Sequence, residues 1–219
     1  MTNKHQILIV DDHAIVRHGL AQLIEREPDM QVAFQAEQAT EALDILRQHH
    51  LDMVILDISL PGMSGIDLTK QIAARHPGLP VLAVSMHDES EYYERAFQAG
   101  AKGYIMKQEA TEKVLFAARK ILRGEVYLSD RMQSIMLQRF VDGRGETPTS
   151  FTDNLTDREF EVLRLVGMGR GTSEIAREMG RSVKTVESHR AHLKEKLNLK
   201  TATELTYFAI NWVARQKNG

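Results

Sequence analysis

The stretch MVILDISLPGMSG, residues 53–65, carries the strongest signal for the fold. Its first four residues form a short apolar run bounded by polar positions, which is typical of a buried strand. Asp57 follows the run directly, and Pro61 with Gly62 then marks a turn. An amphipathic segment, Ile66–Arg75, comes next. The stretch therefore predicts a strand, a loop and a helix in succession.

This alternation extends through the first 125 residues, where a segment with helical spacing follows each short apolar run. The predicted strands are Ile7–Val10, Val32–Ala36, Met53–Leu56, Val81–Val84 and Tyr104–Met106. The predicted helices are one with Val16, Leu20, Leu23 and Ile24 on one face, then Ala39–His49, Ile66–Arg75, Ser90–Ala99 and Thr111–Arg123. Five strands alternating with five helices predict an α/β fold, a doubly wound parallel sheet covered on both faces.

The segment after residue 125 predicts a short helix and then a linker. Ser129 can cap a helix at about residues 129–141. Residues 142–153, DGRGETPTSFTD, are rich in Gly, Pro, Thr and Ser and predict a flexible linker. We therefore expect a first domain at residues 1–125, a connecting segment at 126–153 and a second domain at 154–219.

The second domain shows no strand signal. Thr156 followed by Glu159 fits a capping box, and Thr201 followed by Glu204 repeats the pattern. Glycines at positions 169, 171 and 180 separate the helical stretches. The pattern predicts a small all-α domain of four helices.

Composition and charge narrow the class of protein. The 219 residues are 42% hydrophobic and 26% charged, which argues against disorder as the dominant state. With no cysteine there is no disulfide, thiolate metal site or cysteine nucleophile. The apolar runs are far shorter than the roughly 20 residues that cross a bilayer, and the start lacks the apolar core of a signal peptide. We expect a cytoplasmic protein.

The charge is unevenly distributed. Residues 1–152 carry 21 acidic and 16 basic residues, whereas residues 153–219 carry 9 acidic and 12 basic residues. A basic second domain is a reason to test for nucleic-acid binding there. A solvated basic face is the alternative explanation.

Three aspartates follow predicted strands directly. Asp11 and Asp12 come after the first strand and Asp57 after the third. In a doubly wound sheet of order 2-1-3-4-5 the first and third strands are neighbours, so these carboxylates converge at the carboxyl edge. Their mutual repulsion favours a bound divalent cation, and oxygen ligands without His or Cys favour Mg²⁺.

The same edge carries a hydroxyl and an ammonium group. Ser85 follows the fourth predicted strand and Lys107 the fifth. Together with a cation these are the groups needed to accept a phosphoryl group: Asp57 attacks, Lys107 and the metal neutralise charge, and Ser85 donates a hydrogen bond. Each residue alone could be a cap or a solvated side chain. Their combination at four strand ends indicates phosphoryl chemistry.

Four motifs, IVDDH, LDISLPGMSG, AVSMHDE and GAKGYIMK, resemble the receiver domain of two-component response regulators over about residues 5–125. The resemblance implies a CheY-like (flavodoxin-like) fold and a sensor histidine kinase as phosphoryl donor. It implies that Asp57 is the phosphoacceptor and that Asp11 and Asp12 help to bind Mg²⁺. The backbone carbonyl of Ser59 is implied as a further metal ligand.

The resemblance also implies a switch. Ser85 stands at the Ser/Thr switch position and Tyr104 at the aromatic switch position. Phosphorylation would draw Ser85 toward the new phosphoryl oxygens and leave space for Tyr104, although Tyr104 could equally be a core residue. We further hypothesise that His87 controls the access of water to the acyl phosphate.

Residues 172–197 predict a helix-turn-helix, with a first helix at Thr172–Met179 and a second at Val183–Leu197. The buried stripe of the second helix is predicted to comprise Val183, Val186, Leu193 and Leu197. The opposite face carries Lys184, Ser188, Ala191 and Glu195. Thr185, Glu187 and His192 flank this face. Its short side chains and mixed charge would let the helix enter a DNA major groove. An ordinary solvated helix face is the alternative.

Residues 154–212 resemble the LuxR-type helix-turn-helix of NarL/FixJ response regulators. The motifs that carry the resemblance are IARE, SVKTVESHR and KL. The resemblance implies that Val183–Leu197 is the recognition helix. The implied DNA contacts are Lys184, Thr185, Glu187, Ser188, Arg190 and Ala191. Lys184 suits a phosphate and Glu187 a base edge, whereas Arg190 stands beside the buried stripe.

Two departures from that family concern helix capping and base recognition. Gly171 and Thr172 stand where the family often has a hydroxyl-bearing cap and an amide, so the cap is expected to be weaker or shifted. Glu187 replaces a lysine that many members carry. A carboxylate can accept a hydrogen bond from cytosine N4, so the target sequence cannot be inferred from lysine-bearing relatives.

The last predicted helix, Thr201–Arg215, places Leu205, Phe208, Ala209 and Trp212 on one buried face, with Tyr207, Ile210 and Val213 pointing partly elsewhere. The resemblance to the NarL/FixJ family implies that this helix forms the contact between two DNA-binding domains in a dimer. Apolar residues away from the core suit such a contact.

The sequence therefore predicts a non-enzymatic, DNA-binding response regulator. Phosphorylation of Asp57, with Mg²⁺, is expected to shift the chain toward a homodimer that binds promoter DNA and controls transcription. One alternative is a DNA-binding regulator controlled by protein contacts without phosphorylation. A metal-dependent phosphatase is another, but it would leave the helical domain unexplained.

Overall fold

The computed structural model describes residues 4–86, 89–141 and 154–217. The predicted linker at 142–153 and His87 lie outside the described residues. The chain divides into two compact units, one within residues 1–145 and one within residues 146–219. In the described ranges, each helix is too short or too polar to cross a bilayer.

The first unit alternates strands and helices as predicted. Its strands are β1 (His5–Val10), β2 (Met30–Ala36), β3 (Met53–Asp57), β4 (Val81–Ser85) and β5 (Gly103–Met106). Its helices are α1 (Ala14–Glu25), α2 (Ala39–Gln48), α3 (Gly65–Arg75), α4 (Glu89–Gln98), α5 (Ala110–Leu122) and α6 (Asp130–Val141). The strands form one parallel sheet in the order β2-β1-β3-β4-β5. The predicted fold class is confirmed.

Two hydrophobic cores cover the two faces of the sheet, because successive strand residues point in opposite directions. In β1, Ile7 and Ile9 pack in one core with residues of α1 and α5. Leu8 and Val10 pack in the other core with residues of α2 and α3. Burial on both faces explains why the strands are continuous apolar runs.

Each strand is longer than its predicted apolar run, and two of them extend at the carboxyl end. Asp57 is the last residue of β3 and Ser85 the last residue of β4. Both continue the ladder: Asp57 lies opposite Val84, and Ser85 lies opposite Met106. The predicted boundaries fell where the side chains turn polar, but the backbone pairing continues. The sheet therefore fixes the backbone of both polar residues.

The second unit contains helices α7 (Asp157–Gly167), α8 (Thr172–Glu178), α9 (Val183–Lys196) and α10 (Ala202–Lys217). Its four-helix composition agrees with the prediction. The Trp212 ring of α10 packs edge-on against Phe160 of α7, with centroids 5.4 Å apart. Trp212 is the only tryptophan in the chain, so its fluorescence reports on this unit.

The predicted caps are mostly present. Thr156 and Glu159 form a full capping box at α7, and the Ser129 hydroxyl accepts a hydrogen bond from the Met132 N–H at α6. At α10 the prediction was partly wrong. The Thr201 hydroxyl accepts from the Glu204 N–H, but the Glu204 carboxylate accepts from the N–H of residue 200, one position further back.

The departure at Gly171 has a local compensation. Gly171 is the residue that precedes α8, and it has no side chain with which to cap the helix. The Glu174 carboxylate reaches back and accepts a hydrogen bond of 2.8 Å from the Gly171 N–H. The cap is therefore not shifted. The carboxylate makes the second bond of a capping box, to the Gly171 N–H, while the bond that a hydroxyl at position 171 would accept is missing.

Candidate functional site

The predicted acidic residues and the lysine come together at the carboxyl edge of the sheet. Asp11 is 1% exposed and Asp57 is 2% exposed. Lys107, directly after β5, places its Nζ 2.7 Å from Asp57 Oδ2 and 2.8 Å from Asp11 Oδ2. Asp12 lies beside them and is more exposed. The edge thus holds a buried cation between two buried carboxylates.

Backbone N–H groups hold the remaining carboxylate oxygens in place. The His13 N–H donates to Asp11 Oδ1 at 2.8 Å, and the Ser59 N–H donates to Asp57 Oδ1 at 3.1 Å. Each contact lies two residues along the chain, in the loop that follows the strand. The loops therefore orient the acids, while Lys107 bridges them.

The electrostatics of the site follow from burial. Burial raises the pKa of Asp57, and the nearby charge of Asp11 raises it further, while Lys107 acts in the opposite direction. Burial alone would lower the pKa of Lys107, but the carboxylates of Asp57 and Asp11 raise it on balance. Lys107 is thus held in its charged form. An additional positive charge near Asp57 would favour its ionised form.

The donor set of this edge fits a hard divalent cation. Asp11, Asp12, Asp57 and His13 each offer a ligand atom, and these atoms lie within 4.8 Å of one another. Three of the four are carboxylate oxygens, the ligand type that Mg²⁺ prefers. His13 was missed from the sequence, although its position directly after the two aspartates was a usable signal. Its Nδ1 lies 2.8 Å from Asp12 Oδ1.

The two predicted switch residues are buried in neighbouring strands. Ser85 is fully buried at the end of β4, one position beyond Val84, the partner of Asp57. Tyr104 is buried in β5 and lies opposite Ala83. Ser59 is half-buried and contacts Asp57 through its N–H. Ser85 therefore reaches the same edge as the acids, and Tyr104 lies further back along the sheet.

The predicted DNA-contacting residues lie in the second unit, on α9. Its outward face exposes Lys184, Glu187, Ser188 and Ala191, whereas Thr185 and Arg190 are half-buried. Ser182 caps the helix by accepting a hydrogen bond of 3.1 Å from the Thr185 N–H.

The predicted buried stripe of α9 was wrong at its first residue. Val186 and Leu193 are buried and Leu197 is half-buried, but Val183 is 42% exposed. Side chains in a helix point toward its amino terminus. Val183 begins the helix, so its side chain points past the helix end rather than onto the core.

The last helix also differs in part from the prediction. Leu205, Ala209 and Val213 are buried, so Val213 belongs to the core rather than to the outer surface. Phe208 and Trp212 are half-buried. Leu205, Ala209 and Val213 are four residues apart, so they lie on the same face of the helix and form its buried stripe. Tyr207, 72% exposed, and Ile210 do lie on the outer surface.

A buried carboxylate, Glu159, joins α7 to α9. Its Oε2 accepts hydrogen bonds from Lys196 Nζ at 2.7 Å and from the Thr156 N–H at 2.8 Å. His192 Nδ1 lies 3.7 Å from Oε1. Burial raises the pKa of Glu159, but the bonds from Lys196 and Thr156 lower it overall. Glu159 thus remains charged and anchors one side of α9.

We expect the stability of the second unit to fall as the pH is lowered from about 7.5 to 5.5. Burial lowers the pKa of His189; Glu159 opposes this, whereas His192, Arg158 and Arg181 add to it. Below about pH 6.5 the unfolded chain therefore binds a proton that the folded chain does not. Stability is present at higher pH and is lost through this window.

The fluorescence of Trp212 during thermal unfolding, at several pH values, measures this effect. The melting temperature should depend less on pH in His189→Gln than in the wild type. An equal pH dependence in the two proteins would show that His189 does not control it.

Comparisons with known proteins agree with both units. The family described as response regulator receiver domain matches residues 7–119, and the family described as bacterial regulatory proteins, luxR family, matches residues 153–209. The oxygen regulatory protein NreC of Staphylococcus carnosus (strain TM300) is 38% identical over 209 residues, which cover 94% of this chain and 96% of that protein.

Two solved structures are similar as well. A LuxR-family two-component response regulator from Aurantimonas sp. SI85-9A1 is 35% identical, with a TM-score of 0.58, covering 66% of this chain and 100% of that chain. RcsB from Salmonella enterica serovar Typhimurium, bound to promoter rprA with the phosphomimetic BeF3-, is 26% identical, with a TM-score of 0.60, covering 94% of this chain and 98% of that chain. With both domains matched in order, the chain belongs to the DNA-binding two-component response regulators of the NarL/FixJ type.

Proposed function

We propose that Asp57 accepts a phosphoryl group from a sensor histidine kinase. The observation that carries this proposal is the position of Lys107 Nζ, 2.7 Å from Asp57 Oδ2 in a buried site. A carboxylate oxygen of Asp57 forms a bond to phosphorus while the bond from phosphorus to the imidazole nitrogen of the donor breaks. The imidazole leaves with the electron pair, and Lys107 stabilises the charge on the transferred oxygens.

The residues that would hold Mg²⁺ are Asp11, Asp12 and Asp57, with the backbone carbonyl of Ser59. When bound, Mg²⁺ supplies positive charge that reduces repulsion between the phosphoryl oxygens and Asp57. Asp57 returns to its free form when water hydrolyses the acyl phosphate. The chain is therefore a stoichiometric acceptor rather than an enzyme with a separate substrate.

Phosphorylation is proposed to act through Ser85 and Tyr104. The new phosphoryl oxygens are acceptors for the Ser85 hydroxyl, which reaches the same edge. Movement of Ser85 would then change the packing around Tyr104 on the next strand. Because both side chains are buried, such a change must be accommodated by repacking of the neighbouring elements.

The consequence of phosphorylation is proposed to be a homodimer that binds promoter DNA. α9 exposes short and polar side chains, of which Lys184 suits a phosphate and Glu187 and Ser188 suit base edges. α10 exposes Tyr207 and Ile210, which a second copy of the chain could cover. The receiver is proposed to span residues 1–125 and the DNA-binding domain residues 154–219.

The test is a gel-shift titration of genomic fragments with and without acetyl phosphate and Mg²⁺. We expect the donor to increase the affinity for a subset of fragments and the mass of the unbound protein to shift toward a dimer. A donor that labels the protein but leaves affinity and mass unchanged would favour the alternative, a regulator controlled by protein contacts.

A further inference from the structure

α9 presents different chemistry on each of its sides. At about 100° per residue, the outward face lies between two flanks. One flank carries His192 and Lys196 and is held by Glu159 of α7. The other flank carries Arg190 and Lys194, and it borders a cavity.

This cavity has a volume of about 240 Å³ and lies between α9, the first residue of α8 and the beginning of α10. It is lined by Thr172, Glu187, Arg190, Ala191, Lys194, Ala202 and Leu205. Thr172, Ala191 and Ala202 have small side chains, which leave space between the long side chains of Arg190 and Lys194. Glu187 and Ala191 belong both to its rim and to the outward face of α9.

Among the residues that the structure describes, the two cations of the cavity have no acidic side chain within ion-pair distance. Within the described residues, the side chains of Arg190 and Lys194 form neither a hydrogen bond nor an ion pair. Two other cations of the unit do have an acidic partner: Lys196 contacts Glu159 at 2.7 Å, and Arg158 contacts Glu161 at 2.7 Å. Arg190 and Lys194 are therefore available to an anion from outside the chain.

We propose that this cavity receives a phosphate group of the DNA backbone, with Arg190 and Lys194 as its two cationic partners. The inference deepens the proposed function, since it assumes that the outward face of α9 enters a major groove. Glu187 and Ala191 lie at the rim of the cavity. A DNA strand whose bases contact these two residues would therefore place its backbone phosphates next to the cavity. The carboxylate of Glu187 repels such a phosphate, which explains why two cations are needed to hold it.

The assignment separates the functions of residues on one helix. Arg190 acts on the backbone and carries no sequence information, while Glu187 and Ser188 remain on the base-reading face. Lys194, which the sequence did not single out, becomes part of the DNA interface. The beginning of α10 then lies beside the bound strand rather than away from it.

The test uses the full chain, treated with acetyl phosphate, and a duplex selected from a random pool by the wild-type protein. We expect Lys194→Ala and Arg190→Ala each to weaken binding by roughly three- to tenfold near 150 mM salt. Because they share one phosphate, the two replacements together should reduce the slope of log affinity against log salt by about 1. The loss should be equal for the selected duplex and for a scrambled one. Arg177→Ala is the matched control, because Arg177 is an exposed arginine of α8 outside the cavity. It should change the affinity and the salt dependence less than the two cavity variants do.

Methylphosphonate substitution then locates the contact, since it removes the charge of one phosphate at a time. At one position per half-site, the neutral linkage should weaken wild-type binding, should cost the Lys194→Ala protein less, and should cost a protein with both Lys194→Ala and Arg190→Ala nothing further. Additive losses at every position, or a changed sequence preference in either variant, would overturn the inference. If the wild type bound no duplex at all, the proposed DNA-binding function itself would fail. Unchanged Trp212 fluorescence verifies that the variants are folded.

Discussion

Replacement of Asp57 by asparagine is expected to abolish phosphoryl labelling of the chain by acetyl [³²P]phosphate in the presence of Mg²⁺. The amide has no anionic oxygen to attack phosphorus. The variant should remain folded, because Lys107 keeps Asp11 as a partner at 2.8 Å. Burial, and after it the charge of Asp11, raise the pKa of Asp57 in the wild type, so a neutral amide at this position removes an unfavourable buried charge. The unfolding free energy should therefore be maintained at neutral pH.

Asp52→Asn provides the matched control for this variant. Asp52 lies before β3, at the opposite end of the strand from Asp57, and its Oδ2 accepts a hydrogen bond of 2.7 Å from the Gln6 N–H. Asparagine can keep that bond, so labelling should equal that of the wild type. Label that persisted on Asp57→Asn would place the acceptor on another residue and would refute the proposed role.

Gly65→Ala is expected to destabilise the first unit by about 3 kcal/mol or more. A Cβ at position 65 would overlap the carbonyl oxygen of Asp57 and lie 2.7 Å from the Cα of Ile58. Both are backbone atoms at the end of β3, so neither can rotate away. The Gly65 N–H also donates to the Ile58 carbonyl at 2.8 Å, which holds the start of α3 against the loop. Because the backbone of Asp57 must move to make room for the Cβ, phosphoryl labelling of Asp57 should also fall.

Gly19→Ala tests whether this cost is local. Gly19 lies within α1, and a Cβ there would have nothing within 4 Å. Alanine in a helix interior is favoured over glycine by roughly 0.5–1 kcal/mol, so this variant should be slightly stabilised. Urea unfolding followed by circular dichroism measures both changes. Equal stability of the two variants would contradict the close approach of α3 to β3.

The architecture of the first unit was predictable because its signals are local and repeated. Burial of the sheet on both faces produces uninterrupted apolar runs, and polar residues at the strand ends mark the edge. Asp11, Asp57 and Lys107 could be placed at one edge from strand order alone. Their 2.7 and 2.8 Å contacts could not, since these depend on the direction of the Lys107 side chain.

The errors share a different physical origin. Val183 and Val213 were misassigned because a helical wheel treats all turns alike, whereas helix ends and neighbouring helices decide which positions are covered. The anchor at Glu159 also escaped notice, because the capping box already accounted for that residue. Its partner Lys196 lies 37 positions away, so the link between α7 and α9 is visible only in three dimensions.

The anchoring of α9 by Glu159 has a consequence for the divergence of such regulators. The helix is held by Val186 and Leu193 in the core and by charges on its flank, so Ser188 and Ala191 contribute little to folding. These outward positions can therefore accept substitutions without lowering the stability of the unit below the level that function requires. After gene duplication, a copy could acquire a new set of operators by changing a few outward side chains on an unchanged scaffold.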